Sequence, residues 1–315
     1  MHTHIFKFED NNAKYTSGID LKNNECLIED SYDEHLIQNK TYEEDVKINI
    51  INSKKSIRFI NCIFKSGLLI SAQNMTDLKL NNIYFYKCTI SYCSIKESVF
   101  NLFTCDTCTI NVLYIGSNSS FNDKVFFYNT TFNKNIVFEH VIFNSIFDLE
   151  KSKFHGKLKF NYTDFKDNVY CRNIVLNAGI DLDYATIQKE MNFTGTVGLD
   201  TKQSLSNTSQ ETYRLIKYNF EKIGNKIEAN KYHALELNKY KKKLFTEVKS
   251  HFFECKKISL YTYIDSVSLF FHGISSQHST NWILAIFWIC IIGIMTNLSL
   301  EKFVECFQFE WINTF

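Results

Sequence analysis

Cys105 and Cys108 form a Cys-x-x-Cys pair, and Cys88 and Cys93 stand a short way before them. Thiols in this pattern support two kinds of chemistry. Zinc binding needs four ligands converging on one point, and dithiol exchange needs sulfurs within bonding reach of each other and of a reagent. His2 and His4 add nitrogen donors near the start of the chain. Asp181 and Asp183 are paired carboxylates, a residue type used for general acid and base work. No glycine-rich phosphate loop, nucleophile elbow or His-Glu metal motif stands in the sequence. What the thiols and carboxylates can do therefore depends on where the backbone points them.

The backbone signal is an internal repeat. Positions five apart read Leu80, Phe85, Ile90, Ile95, Phe100, Cys105, Ile110 and Ile115. Two residues ahead of each stand Leu78, Ile83, Cys88, Cys93, Ser98, Phe103, Cys108 and Leu113. Both columns are apolar or small. A shorter run in the same phase, Phe59, Phe64 and Leu69, starts the ladder near residue 57, and residues 70 to 77 break it. After residue 120 the spacing alternates between five and six. One column then reads Phe121, Phe132, Phe143, Phe154, Phe165, Leu176 and Ile187, and the other Phe127, Phe138, Leu149, Phe160, Cys171, Leu182 and Phe193.

An 11-residue period also describes a right-handed coiled coil, so the two readings must be separated. At about 100° per residue the apolar positions point in opposed directions around a helix, which excludes a single buried stripe. In an extended chain, residues two apart share one side, so each pair is a short inward strand face and the residues between turn a corner. The chain has no proline and only 10 glycines, so other residues must make those corners.

These columns resemble the pentapeptide-repeat family. The resemblance implies a mainly β fold, a right-handed quadrilateral β-helix over residues 57–200 with four faces to a coil. The regular stretch would hold about two coils and the alternating stretch three to four, spaced roughly 4.8 Å apart. Residues 1–56, with 7 Lys/Arg against 11 Asp/Glu, are an acidic segment suited to capping one end.

In that register Cys105 is a central inward residue, and Cys88, Cys93 and Cys108 are its small companions. The ladder thus accounts for all four as buried structural thiols. Asp181 and Asp183 flank inward Leu182 and point outward, where charge is solvated. No set of residues takes acid, base and nucleophile roles together, so the chain reads as a non-enzyme with no cofactor or metal. Some soluble members of the family mimic DNA and bind type II topoisomerases through a strongly acidic surface. Residues 57–200 carry 14 Lys/Arg against 13 Asp/Glu, which disfavours that activity. No nucleic-acid partner is expected. The opening residues MHTHIFKFED contain no apolar secretion core, which places the thiols in a reducing cytosol.

Residues 201–209 form a polar linker that supplies helix N-caps, and apolar stripes over 208–250 describe an antiparallel helical hairpin with 10 Lys/Arg against 5 Asp/Glu between 210 and 249. Tyr213, Arg214, Leu215, Lys217, Glu221, Gly224, Asn225, Glu228, Ala229 and Glu236 resemble the helical segment of membrane-associated bacterial pentapeptide-repeat proteins. Trp282–Leu300 carries no charge and would rise about 28 Å as a helix, so residues 281–300 are expected to cross a membrane. Residues 258–273 suit a helix lying in the interface, and 301–315 a short tail. Lysines 239, 241, 242, 243, 249, 256 and 257 precede the span, which orients the solenoid to the cytosolic side of the inner membrane. The expected function is a membrane-tethered scaffold for protein–protein interaction. Its expected partners are membrane lipid, an unidentified protein and a second copy of the chain. Two alternatives stand beside it, a subunit or fragment of an ion-channel-like membrane protein and a topoisomerase-binding mimic.

Overall fold

Alternation of inward apolar and outward polar residues over two to four positions is enough for a strand, but too short for a free-standing sheet, so each segment must find partners in the coils on either side. The computed structural model shows this arrangement. It describes residues 3–9, 12–16, 29–30, 34–51, 56–73, 81–116, 118–253, 260–276 and 281–312. By contacts the chain divides into two units, Met1–Gly224 and Asn225–Phe315.

The first unit is a parallel β-solenoid of about seven turns. In one coil Val125–Tyr128, Thr131–Phe132, Ile136–Glu139 and Ile142–Phe143 follow one another on successive sides. They pair in parallel with Phe147–Asp148, Lys153–Phe154, Leu158–Asn161 and Asp164–Phe165 of the next coil. One side runs from Glu34–Gln38 through Ser56–Ile60, Ile83–Tyr86 and Phe103–Asp106 to Met191–Asn192. Parallel pairing thus reaches back to Glu34 on this side and to Thr3 on another, where Thr3–Glu9 pairs with Asp45–Ile51, ahead of residue 57 where the apolar columns begin. Beyond it, Glu29–Asp30 and Asn12–Thr16 add antiparallel strands at the outer edges.

The inward columns fill the interior. Phe100, Phe121, Phe143 and Phe165 stack ring on ring, with centroids 5.5, 5.2 and 5.1 Å apart. The remaining column residues Phe85, Ile90, Ile95, Cys105, Ile110, Ile115, Phe127, Phe132, Phe138, Leu149, Phe154, Phe160, Cys171, Leu176, Leu182 and Phe193 are likewise buried. Ile187 is half-buried, and Leu80 lies outside the described residues. Leu69, expected inward after Phe59 and Phe64, is instead exposed, because an extra residue between Phe64 and Gly67 shifts the register and turns Leu68 and Ile70 inward. The alternating spacing has a conformational counterpart. Between Phe127 and Ile187 each five-residue corner contains a residue in the left-handed region, namely Asn129, His140, Lys151, Tyr162, Asn173 and Tyr184. The six-residue corners, apart from Gly179, turn without one. Earlier in the stack the rule does not hold, since the five-residue steps Ile90–Ile95, Phe100–Cys105 and Ile110–Ile115 turn without such a residue and the six-residue step Ile115–Phe121 contains Asn118; each left-handed residue other than glycine costs about 1 to 2 kcal/mol.

Helices α1 (Lys202–Asn207) and α2 (Gln210–Lys222) close the C-terminal end of the stack. The polar stretch 201–209 is thus partly helical, with Thr201 and Ser209 as N-caps whose side chains accept from the N–H groups of Ser204 and Thr212. Inside the stack a strand N–H donates to the next coil, as Leu158 N does to Gly179 O. The last coil has no next coil. There Ile180 N donates to Thr208 Oγ1, Leu182 N to Thr212 Oγ1 and Met191 N to Asn219 Oδ1, at 3.3, 3.0 and 3.0 Å. Side-chain oxygens therefore satisfy donors that would otherwise be buried and unpaired.

The second unit is helical: α3 (Lys226–Phe253), α4 (Leu260–Ser276) and α5 (Trp282–Ile312). Tyr240 OH on α3 donates to Asp265 Oδ2 on α4 at 3.1 Å, and Trp288 Nε1 on α5 donates to Ile274 O on α4 at 3.1 Å. α5 continues through most of residues 301–315, so the expected tail is helical. Among the described residues no helix is long and apolar enough to cross a membrane, which does not support the span expected over 281–300.

Candidate functional site

The solenoid disperses the cysteines that form a motif in sequence. Cys105 lies in the middle of the Phe103–Asp106 strand face and pairs in register with Phe85 and Phe127 of the adjacent coils. Cys93 lies on a different side, beside Leu68 and Leu113. Cys62, Cys88 and Cys108 form a third group, each just after a left-handed corner residue, Asn61, Lys87 or Thr107. Their sulfurs bond carbonyls: Cys88 donates to Tyr86 O and Phe59 O, and Cys108 to Asp106 O and Phe85 O, all at 3.4 Å.

This column continues in Thr130, whose hydroxyl donates to Tyr128 O and Cys105 O, then in Ser152, which donates to Phe127 O. A cysteine in this column therefore does the work of a hydroxyl, donating a hydrogen bond that closes a corner. The sequence carried a signal for that role, since Cys108, Thr130 and Ser152 follow at one coil spacing, but an inward apolar column conceals it.

Burial pushes the Cys93 thiol up to about 12. Hydrogen bonding with Cys108, together with burial, raises Cys88 to about 12, and burial raises Cys105. A thiol held protonated is a poor nucleophile and a poor metal ligand. Cys62, Cys88, Cys93, Cys105, Cys108 and Cys171 are all free and buried. Among the described residues no group of three or more His, Cys, Asp and Glu side chains is placed to hold a metal ion. His2 and His4 fall outside the described side chains.

Asp181 and Asp183 are outward, as the register requires, yet both are engaged. Asp181 accepts from Lys157 Nζ at 2.7 Å and from Asp183 N at 3.1 Å. Asp183 accepts from Ser209 Oγ, the N-cap of α2, and so ties the last coil to its helical cover. Neither carboxylate faces a cleft opposite the other. Elsewhere the outer sides are ladders between coils: Lys65 pairs with Glu43, Arg172 with Glu150 and Lys189 with Asp167, while Asn133 bonds Asn111 and Asn144 bonds Asn122. Such exposed pairs add at most about 1 kcal/mol each.

The second unit presents a different surface. On α5, Trp282, Ile283, Ile286, Phe287, Ile289, Ile292, Ile294 and Met295 are each at least 49% exposed, and Tyr261, Ile264, Phe270 and Phe271 are exposed on α4. Soluble monomers rarely leave a contiguous apolar surface of this size uncovered. Compared with known proteins, the chain matches no family model, no curated protein and no solved structure.

Proposed function

We propose that the chain is a non-catalytic pentapeptide-repeat scaffold held at a membrane, with its C-terminal helices in lipid and its solenoid offered to a protein partner on the cytosolic face. The observation that carries this reading is the apolar surface of α4 and α5, whose exposed Ile, Phe and Trp side chains need a cover. The lysines at 239, 241, 242, 243 and 249 on α3 support it, since each basic residue near an anionic surface adds roughly 1 kcal/mol. The uncharged sequence from Trp282 to Leu300 favours insertion across the bilayer over lying along it. A scaffold also suits the solenoid, where the thiols and the paired aspartates are absorbed by packing and by ladders.

Membrane fractionation of the tagged chain is the test. The full chain should resist both salt and carbonate washing, and deletion of residues 281–300 should leave a fraction that salt releases. Protease added outside intact spheroplasts should spare the solenoid. A full chain that stays in the soluble fraction after lysis would overturn the membrane reading, and cleavage of the solenoid from outside would overturn its orientation.

A further inference from the structure

On the side built by Asp45–Ile51, Ile63–Gln73 and Thr89–Lys96, the outward residues leave a hollow. Parallel pairing sets Lys47 beside Leu69 and Leu69 beside Ser94, and in the next row Asn49 beside Ser71. Small Ser71 and Ser94 stand among the longer Lys47, Tyr92 and Lys96, and the result is a groove of about 360 Å³. That volume lies in the range of about 300 to 1,000 Å³ typical of small-ligand sites.

The groove is built of donors. Ser94 forms its floor; although outward, it is only 5% exposed, and its hydroxyl has no hydrogen-bond partner among the described residues. The hydroxyl oxygen is not one of the buried unpaired side-chain atoms, so it opens to the groove, where it can donate and accept. Ser71 gives its own hydrogen to Asn49 Oδ1 at 2.8 Å, which leaves the Asn49 amide hydrogens uncommitted among the described residues. Lys47 and Lys96 are exposed on the rim and make no ion pair among the described residues; Lys96 lies instead over the Tyr114 ring at 5.5 Å.

Two nearby acids are hydrogen-bonded elsewhere, although Asp45 stays an anion whose charge acts on Lys47. Asp45 accepts from Ser66 Oγ at 2.6 Å and Gly67 N at 2.8 Å, and Glu139 accepts from Tyr114 OH at 2.8 Å. Among the described residues no carboxylate lines the groove. Lys47 and Lys96 sit two strands and two residues apart, about 12 Å on the diagonal between their backbones, a span that two flexible ammonium side chains can close onto one anion.

We infer that this groove binds a phosphate monoester. Its dianion answers the two ammonium groups, its oxygens accept from Ser94 and Asn49, and the carbon part of the ester rests on Tyr92 and Leu69. Phosphate of this kind occurs on soluble metabolites and on phosphatidic acid, and the test separates them. The full chain in neutral detergent is titrated calorimetrically with glucose 6-phosphate and with glucose. The phosphate ester should bind and glucose should not. The K47A/K96A double variant should weaken binding by about tenfold or more, the loss of charge-assisted bonds. Ser94→Leu, on an outward position, should fill the groove and abolish binding with the solenoid circular dichroism unchanged. Lys159→Ala, farther along the same side, should change nothing. Short-chain phosphatidic acid that competes, where short-chain phosphatidylcholine does not, extends the site to the lipid headgroup; failure to compete keeps it for soluble esters. Absence of glucose 6-phosphate binding, or equal affinity in the wild type and the double lysine variant, overturns the inference.

Discussion

Removing the ring of Phe143 should measure how far the solenoid is held by its stacked aromatic columns. Phe143 is 1% exposed and lies between Phe121 and Phe165, with 12° and 7° between ring planes, while Phe147 closes on it at 4.5 Å. The rings above and below are fixed to backbones that are hydrogen-bonded between coils, so the hole left by Phe143→Ala cannot collapse. Buried Phe→Ala changes cost about 3 to 5 kcal/mol, and loss of two stacked neighbours places this one near the upper end. Phe143→Leu keeps most of the volume and should cost about 1 to 2 kcal/mol. Phe143→Asp leaves an unpaired buried charge and should unfold the neighbouring coils outright. Asp148→Asn is the control, because the residue is outward and the amide oxygen can still accept from Glu150 N, so its effect should stay within about 0.5 kcal/mol. Urea denaturation of residues 1–224, followed by far-ultraviolet circular dichroism and by hydrogen exchange at the flanking coils, gives the numbers. A cost for Phe143→Ala below about 1 kcal/mol, or equal to that of Asp148→Asn, would refute the reasoning.

The buried thiols predict loss of stability in alkali. Cys93 titrates near 9 when unfolded and is raised to about 12 in the fold, so its contribution is complete below pH 9 and falls as pH rises towards 12. The slope is about 1.4 kcal/mol per pH unit for that thiol, and urea midpoints of Cys93→Ala should fall less steeply than wild type between pH 9 and 11. Thr212→Val removes the acceptor of Leu182 N in a fully buried position and should cost about 1 to 3 kcal/mol, read as a lower urea midpoint with far-ultraviolet signal otherwise unchanged. Thr107 is β-branched with φ 55°, so Thr107→Gly should gain stability of about 1 kcal/mol, and a lower melting temperature would argue against a strained corner.

The inward columns were legible because every coil places the same position in the same environment. Phe121, Phe143 and Phe165 meet one demand repeated, and repetition is visible in a single chain. The corners were not legible, since left-handed backbone at Lys87, Thr107, Asn129, Lys151 and Asn173 is imposed by the closure of the coil. Apart from Asn, those side chains have no preference for it. The start of the stack was also hidden: between Ser56–Ile60 and Ile83–Tyr86 the chain is longer than one regular coil, and this breaks the phase on which the columns depend. Of the helical cover, α2 was foreseen as helix and α1 only as linker, and the three side-chain oxygens by which the cover meets the last coil were not foreseen. A threonine or asparagine on a helix carries no mark of the strand N–H it will accept from. Lys47, Ser94 and Lys96 were invisible for another reason. Their hollow depends on small and large outward residues in three different coils, and outward positions follow no repeat.

The cover formed by α1 and α2 has a consequence for how this molecule can change size. It accepts the N–H groups of whichever coil happens to be last, and each regular coil offers the same groups to its neighbour. A duplicated segment such as residues 125–146 would meet matching partners on both sides, and neither end would have to be rebuilt. The rod would gain about 4.8 Å for each added coil. Its reach is therefore an independent variable, adjustable in fixed steps by copying existing sequence, while the termini and whatever they hold remain the same.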